Sequence, residues 1–223
     1  MNDFSISKCI SGAWDLTTKH WIMCVVMLVV CVLAYMFNGS MTPTGDYENM
    51  TQEDLIRMCS ELFTGKNLIA ISLGMIVQYA LYAGLYKMAI NGYNGTKVDT
   101  SAYSMPIVTY FKFILANIVY QILVVVGCCF CIIPGIIIAV RFFFVPYVIL
   151  DEPHTEFIDA FNKSWQMTKG HFFGIFGLAI LLLLINFVGV ICCCIGVIFT
   201  EVLTIFASVI AYYQLKDNEF MRY

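Results

Sequence analysis

Two charged side chains lie inside long apolar runs and are the residues most able to do chemistry. Arg141 follows Pro134 by seven residues, and Glu201 follows Gly196 by five. At about 1.5 Å of rise per residue, each charge lies roughly 7–10 Å into its run if the run is helical. A charge within hydrocarbon costs about 2.5–3.5 kcal/mol even on lenient scales. These positions predict either an Arg141–Glu201 ion pair that holds two helices together, or an anion site or polar pathway built around Arg141.

Other polar side chains occur in the same apolar runs and could line a cavity around such a site. They are Gln78, Asn117, Gln121 and Asn186. Pro146 lies close behind Arg141, removes a backbone donor and frees the carbonyl of Phe142. A kink just after Arg141 is therefore expected.

Cysteine and histidine could bind a metal, but their spacing does not favour one. Two triplets, Cys128, Cys129 and Cys131 and then Cys192, Cys193 and Cys194, lie where apolar runs break. They could pack as small residues at tight turns, or bind a soft metal or form disulfides. No acidic residue accompanies them, their spacing matches no zinc motif, and His20, His154 and His171 lie at other depths. The sequence therefore predicts neither a metal site nor a cofactor.

Motifs of enzymes are missing from the sequence. It contains no H-E-x-x-H, no G-x-S-x-G, no glycine-rich phosphate loop and no pair of intramembrane aspartates. A non-catalytic protein is expected. The net charge of −3 gives no reason to expect nucleic acid as a partner.

The elements that position these residues are predicted to be membrane-spanning helices. Of the 223 residues, 61% are hydrophobic and 12% are charged, whereas soluble domains carry about 25% charged residues. A helix needs roughly 20 apolar residues to span the membrane, and only helices satisfy their own backbone there economically. The chain is therefore predicted to be one all-α integral membrane domain (1–223) of six transmembrane helices, arranged as three hairpins. The predicted spans are 21–37, 68–86, 113–132, 135–150, 172–190 and 195–213.

Lysine and arginine sort strongly between the two sides of these spans. Nine fall on the side of the termini: Lys8, Lys19, Lys87, Lys97, Lys112, Lys163, Lys169, Lys216 and Arg222. Only Arg57 and Lys66 fall on the other side. By the positive-inside rule, both termini are cytoplasmic in a multi-pass protein of the cell membrane. Loop 38–67 is then outside, and its capping-box start at Thr51 predicts a short amphipathic helix.

Two segments repeat at an offset of 151 residues, each before an apolar run. Trp14, Leu16, Thr17 and His20 correspond to Trp165, Met167, Thr168 and His171. Apolar residues precede each tryptophan at intervals of four, as on one helix face. The repeat predicts amphipathic interfacial helices on the cytoplasmic side, the first at 4–18. Trp14, Trp165, His20 and His171 would be their anchors, and 101–108 would be a degenerate third copy.

Three stretches together resemble a bacterial membrane family. They are 133–141 with Phe144, Pro146, Tyr147, Asp151 and Glu152; then 160–172, including Ser164, Trp165 and His171; and the ending Tyr212-Tyr213-Gln214-Leu215-Lys216. They resemble the membrane domain of glycerophosphoryl diester phosphodiesterases and related uncharacterised six-helix inner-membrane proteins. The resemblance implies a six-helix membrane fold in which Arg141 and 164–171 are family features. No phosphodiesterase domain follows Tyr223, so the resemblance implies no such activity for this chain.

The expected function is a membrane scaffold, or the membrane subunit of a complex with another membrane protein. The alternative is a transporter or binding site for a small anion or a phosphate-bearing lipid headgroup, built around Arg141. An intramembrane enzyme comes last, because the chain has few titratable groups in its apolar runs. The lipid bilayer is the expected partner in every case.

Overall fold

A computed structural model describes residues 4–39, 51, 65–191 and 193–220, and in this part of the chain the structure is helical with no strand. Among the described residues nine α-helices are numbered in chain order: α1 (Ile6–Lys19), α2 (Ile22–Gly39), α3 (Gly65–Tyr93), α4 (Ile107–Phe130), α5 (Ile132–Arg141), α6 (Val145–Asp151), α7 (Phe157–Met167), α8 (Phe172–Ile191) and α9 (Cys193–Phe220). A 3-10 helix, Thr100–Tyr103, lies between α3 and α4. Residues 40–50 and 52–64, which include most of the predicted loop 38–67 and its expected amphipathic helix, lie outside the described residues.

Five segments of the described chain are long and apolar enough to cross a membrane: Ser72–Tyr93, Ile107–Phe130, Ile132–Asp151, Phe172–Ile191 and Gly196–Asp217. The count is six if α1 and α2, which meet at an angle of 86°, form one broken span. An all-α architecture consistent with a multi-pass membrane protein is thus confirmed. The helices extend by up to seven residues beyond the predicted spans, because they continue into their polar ends.

The expected kink after Arg141 is confirmed as a break between two helices. Helix α5 ends at Arg141, and the Phe142 amide still donates to the Ile138 carbonyl. Helix α6 then begins at Val145, with Pro146 in its first turn. Proline fits there because the first amides of a helix need no partner within the helix.

Small residues allow close packing within the two tight hairpins. Between α4 and α5, a Cβ added to Gly127 would lie 2.9 Å from the Gly135 Cα. Between α8 and α9, a Cβ on Gly189 would lie 3.2 Å from the Gly196 carbonyl oxygen. Close backbone approach is how helices associate where lipid removes the hydrophobic driving force.

Among the five candidate spans of the described chain, Gly196–Asp217 of α9 is the most buried, with 56% of an 18-residue stretch inside the bundle. Helix α1 packs along it: the Ser5 amide donates to the Gln214 side chain, and Trp14 touches Phe199. The contacts of α1 on α9 therefore extend from Phe199 to Gln214. The predicted role of α1 as an interfacial helix at a membrane boundary stays a prediction. The face of α1 that carries Ala13 is buried against the bundle.

The burial of side chains in α1 and α7 supports the predicted repeat. Cys9, Ala13 and Thr17 are 0–1% exposed, and their counterparts Ala160, Ser164 and Thr168 are all 0% exposed. The proposed third copy differs, because 101–108 forms only the end of the 3-10 helix and the start of α4. Pro106 caps α4 and disfavours a continuous helix through this stretch.

Candidate functional site

Arg141 lies where α5, α7 and the entry to α8 meet. Its Nη1 donates to the Thr168 Oγ1 over 3.5 Å, and its Cζ is 4.9 Å from the centre of the Trp165 ring. Its backbone carbonyl accepts a hydrogen bond of 2.8 Å from the Ser164 hydroxyl. The Nε of Arg141 is buried and makes no hydrogen bond with any described residue. The guanidinium is therefore positioned by an aromatic ring and one hydroxyl, with donor capacity left over.

Glu201 faces a different part of the bundle. Its carboxyl is within electrostatic reach of Cys31 on α2, Tyr82 on α3 and Tyr147 on α6. Ion pairs among the described residues involve Asp151 or Glu152, and none joins Arg141 to Glu201. Of the two predicted arrangements, the ion pair does not form. The anion site at Arg141 stays a prediction.

The four polar residues expected to line one cavity are dispersed. The Gln121 amide donates to the Tyr79 hydroxyl (2.8 Å) between α4 and α3, and Asn117 donates to the carbonyl of Phe113 one turn earlier. Asn186 donates to the Thr204 hydroxyl (2.9 Å) between α8 and α9, while its buried Oδ1 has no partner among the described residues. Gln78 on α3 is half-buried. Asn117, Gln121 and Asn186 thus make hydrogen bonds with three separate neighbours and do not line one cavity.

The tryptophan and histidine anchors make ring contacts within the bundle. Trp165 lies 5.7 Å from the ring of Phe142, next to Arg141. Trp14 lies 5.3 Å from Phe199, which is about 26 Å by helical rise from Lys216 at the other end of α9. The predicted role of Trp14 and Trp165 as membrane anchors stays a prediction.

The two histidines are also placed by aromatic neighbours. The His20 ring stacks on Phe206 with a centroid distance of 6.2 Å, and His171 lies 6.4 Å from Phe4. His20 therefore lies beside the middle of α9, and His171 lies near its C-terminal half, where α1 begins. Neither position tests the predicted role of these residues as membrane anchors.

An apolar cleft of about 310 Å³ lies between α4, α5 and α8, and Arg141 itself does not line it. Val140 and Phe143, on either side of Arg141 in the sequence, contribute to its wall, as do Ile175 and Phe176 from the start of α8. The lining is otherwise apolar, apart from Tyr120, whose hydroxyl donates to a carbonyl of α5. The cleft thus lies along helices of membrane-spanning composition, and it includes the residue before Arg141 and the second residue after it.

Asp151 is the centre of a polar cluster that the sequence reasoning missed. Its carboxylate accepts hydrogen bonds from Tyr212 (3.1 Å) and Tyr213 (2.7 Å) and forms an ion pair with Lys216 (2.5 Å). Lys216 also pairs with Glu152 at 2.8 Å. These side chains join the end of α6 to the end of α9. The signal was present in the resemblance, which includes both Asp151-Glu152 and the Tyr-Tyr-x-Leu-Lys ending, but nothing in it showed that they meet.

Glu152 extends this cluster to α7. Lys163 pairs with it at 2.5 Å, and the Thr155 hydroxyl donates to the same carboxylate. Burial alone would raise the pKa of Glu152, but hydrogen bonds and positive charge from Lys163 and Lys216 outweigh it and lower the pKa to about 2. The carboxylate is therefore held in its charged form.

Two further lysines hold the loop after α6 through backbone carbonyls. Lys87 on α3 donates to the Leu150 carbonyl at 2.8 Å. Lys112 on α4 donates to the carbonyls of Pro153 (3.2 Å) and Thr155 (3.0 Å). In the sequence these lysines contributed only to the charge asymmetry between the two sides of the membrane. The structure brings them together around 150–155.

The first cysteine triplet lies exposed at the turn between α4 and α5, and all three thiols are free. Cys128 packs against Gly135, where an added Cβ would meet its sulfur. Of the second triplet, Cys192 and the side chains of the other two lie outside the described part. Within that part, no group of three or more His, Cys, Asp or Glu side chains is arranged to hold a metal ion.

No protein-family model, curated protein or solved structure matches this chain. The resemblance to the phosphodiesterase membrane domain therefore stays a prediction. What can be said of function depends on the geometry of Arg141, Glu201 and the Asp151 cluster.

Proposed function

We propose that this protein is a non-catalytic, multi-pass membrane protein that binds a phosphate-bearing lipid, with Arg141 holding the phosphate. The observation that carries the proposal is that Arg141 has no carboxylate partner among the described residues, while its buried Nε makes no hydrogen bond there. Buried charge normally requires a counter-charge. A phosphate oxygen supplies one and accepts charge-assisted hydrogen bonds from guanidinium.

The surroundings of Arg141 suit a headgroup at a membrane boundary. Its Nη1 donates to Thr168, four residues before the apolar helix α8 begins at Phe172. Trp165 stacks on the guanidinium and is 43% exposed, as an aromatic ring at a membrane–water interface would be. Together they form a partly open, cationic position at the level where the chain enters its fifth predicted span.

The neighbouring cleft has the chemistry of an acyl-chain site. Its walls come from α4, α5 and α8, and the lining residues nearest to Arg141 in the sequence are Val140 and Phe143. An amphiphile with a phosphate at Arg141 would place hydrocarbon against these side chains. Such a ligand fits better than a free anion, because a free anion has no hydrocarbon that could occupy the apolar cleft.

Lipid binding can be measured on the purified full chain by native mass spectrometry with dioleoyl phosphatidic acid as the probe. We expect Arg141→Gln to weaken its binding by roughly 10- to 100-fold, since a hydrogen bond to a charged group contributes about 1.5–3 kcal/mol. Lys169→Gln is the matched control: it removes one positive charge from the turn before α8, and it should bind as wild type does.

Two further arms identify the ligand. Diacylglycerol has the same chains without phosphate, so its binding should be weaker and unaffected by Arg141→Gln. Inorganic phosphate that displaces phosphatidic acid at millimolar concentration would instead indicate a small-anion site. If Arg141→Gln binds phosphatidic acid as wild type does, the proposal fails. A membrane scaffold, or the membrane subunit of a complex, would then be the remaining function.

We further propose three helical hairpins in the cell membrane, with both termini in the cytoplasm. Lys87, Lys112, Lys163 and Lys216 converge on 150–155, which supports one basic side. Cys129, at the opposite hairpin turn, is exposed. In a variant whose only cysteine is Cys129, a membrane-impermeant maleimide should label intact cells. Labelling only after lysis would reverse the orientation.

A further inference from the structure

A groove of about 560 Å³ lies between α1 and α8, and it shares no lining residue with the cleft between α4, α5 and α8. Helix α1 contributes an apolar side and a polar side. The apolar side consists of Ile6, Ile10 and Trp14, the polar side includes Ser11 and Asp15, and α8 contributes Leu181. Residues four apart share one face of a helix, so the groove follows α1 for roughly 13 Å by helical rise.

The two ends of the groove differ. At the start of α1, a Cβ added to Gly174 would lie 2.7 Å from a ring carbon of Phe4, and one added to Gly177 would lie 3.4 Å from Cδ1 of Ile6. The two glycines therefore let α1 approach α8 closely there. Trp14, at the other end, is 54% exposed. The groove is thus limited by packing near Ile6 and accessible near Trp14.

The internal repeat allows a comparison of Trp14 with its counterpart, Trp165. Each tryptophan touches a phenylalanine from another segment: Trp14 lies 5.3 Å from Phe199, and Trp165 lies 5.7 Å from Phe142. The guanidinium of Arg141 lies 4.9 Å from the centre of the Trp165 ring, whereas no cation among the described residues lies over Trp14. The first copy therefore has the aromatic contact and lacks the cation.

Asp15 gives the first copy a negative charge that the second copy does not have, because its counterpart is Gln166. The ion pairs in the described part of the chain do not include Asp15. Lys19, one turn further along α1, does not line the groove. A carboxylate and an indole ring are both groups that bind an ammonium ion. The second copy thus receives its cation from within the chain, and the charge of the first copy suits a cation from outside it.

We propose that this groove binds an amphiphile with an ammonium headgroup, whose ammonium lies between Asp15 and Trp14 and whose hydrocarbon lies against Ile10 and Leu181. An exposed carboxylate alone needs no ligand, since water solvates it. The apolar groove beside Asp15 is what favours a long-chain amine over a small one, because it offers surface to hydrocarbon. An aminated lipid and a free long-chain amine share this chemistry. The site is separate from Arg141 and does not depend on phosphate binding there.

Native mass spectrometry of the purified full chain with oleylamine tests the site, because this probe is cationic and carries no phosphate for Arg141. Asp15→Asn should weaken its binding by about tenfold, since Asp15 is exposed and its hydrogen bond to the ammonium is at the weaker end for charged groups. Trp14→Leu should weaken it by about two- to fivefold, as the loss of a cation–ring contact does. Asp159→Asn, which removes an exposed carboxylate from α7, is the matched control and should bind as wild type does. If Asp15→Asn also binds as wild type does, the proposal is overturned.

Two neutral or competing probes identify what the groove recognises. Oleyl alcohol has the same chain without the charge, so it should bind more weakly than oleylamine and be unaffected by Asp15→Asn. In the Arg141→Gln variant, dioleoyl phosphatidylethanolamine that displaces oleylamine would identify an aminated lipid as the source of the ammonium. If it does not displace oleylamine, a free long-chain amine is the source.

The location of the ligand is tested by Leu181→Trp, which adds bulk to the groove from α8 and should weaken the binding of oleylamine and oleyl alcohol alike. Arg141→Gln should leave oleylamine binding unchanged, and an effect as large as that of Asp15→Asn would overturn the proposal. So would a wild-type dimer in micelles that Asp15→Asn converts to a monomer, because the groove would then be an interface between two copies. Circular dichroism establishes that each variant is folded.

Discussion

Removal of the Asp151 carboxylate by Asp151→Ala should be among the most destabilising single changes in the bundle. The carboxylate is 13% exposed and is the acceptor for Tyr212, Tyr213 and Lys216. Loss of one partner from a buried ion pair costs about 3–5 kcal/mol, because the other charge stays behind. Here Lys216 keeps Glu152 at 2.8 Å and is itself 21% exposed. We therefore expect about 3 kcal/mol, at the lower end of that range.

The neighbouring ion pair provides the matched comparison. Glu152 and Lys163 are 32% and 44% exposed, and pairs that are open to water contribute only about 0–1 kcal/mol. Lys163→Gln should therefore cost less than about 1 kcal/mol, although its distance to the carboxylate, 2.5 Å, equals that from Lys216 to Asp151. Burial decides the difference between the two pairs.

The free energy of unfolding can be measured on the purified chain in mixed micelles, by raising the fraction of denaturing detergent and following helicity by circular dichroism. Tyr212→Phe should cost about 1 kcal/mol, the net contribution of one ordinary hydrogen bond, which calibrates the scale. If Asp151→Ala cost no more than Lys163→Gln, the Asp151 cluster would not hold α6 to α9 and the burial argument would be wrong.

Three further predictions use the same unfolding measurement. Arg141→Leu and Glu201→Leu should be additive within about 0.5 kcal/mol, because the two side chains have different neighbours; a larger coupling would mean that they meet. Gly135→Ala should cost about 1–3 kcal/mol, since its Cβ would lie 2.8 Å from a backbone nitrogen of α4. Gly74→Ala is the matched control, because Gly74 has open space around it, and it should be neutral or stabilising. Equal effects of the two substitutions would contradict the tight hairpin. The folded-state pKa of Glu152 lies below its ordinary value of 4.5, so its stabilising contribution should be complete above about pH 5 and lost as the pH falls towards about 2. If Glu152→Gln left the dependence of the unfolding free energy on pH unchanged in this range, Glu152 would not cause the loss of stability in acid.

Local sequence determined the helices and their breaks. Apolar runs of about 20 residues predicted the spans, because lipid requires the backbone to bond within each segment. Pro146 predicted the break after Arg141, since its ring and missing amide act on the preceding turn. The repeat was visible for the same reason: apolar residues precede Trp14 and Trp165 at intervals of four, and that spacing determines one face of a helix.

Tertiary structure decided which side chains meet. Counting along helices placed Arg141 and Glu201 at similar depths, but depth does not determine the direction in which a side chain points. In the structure Arg141 lies against Trp165 on α7, and no ion pair joins it to Glu201.

The contacts within the Asp151 cluster could not be predicted from the sequence either. Tyr212, Tyr213 and Lys216 are 61 to 65 residues from Asp151 in the chain, and no periodicity links such distant positions. The surface of α9 that covers α1 was also beyond the sequence, since an apolar stripe that ends at Trp14 predicts one apolar face but not the surface that covers it. The sequence of this protein determines its helices, whereas the rotation of each helix about its axis and its choice of neighbour, which decide where charge is paired, arise only from packing.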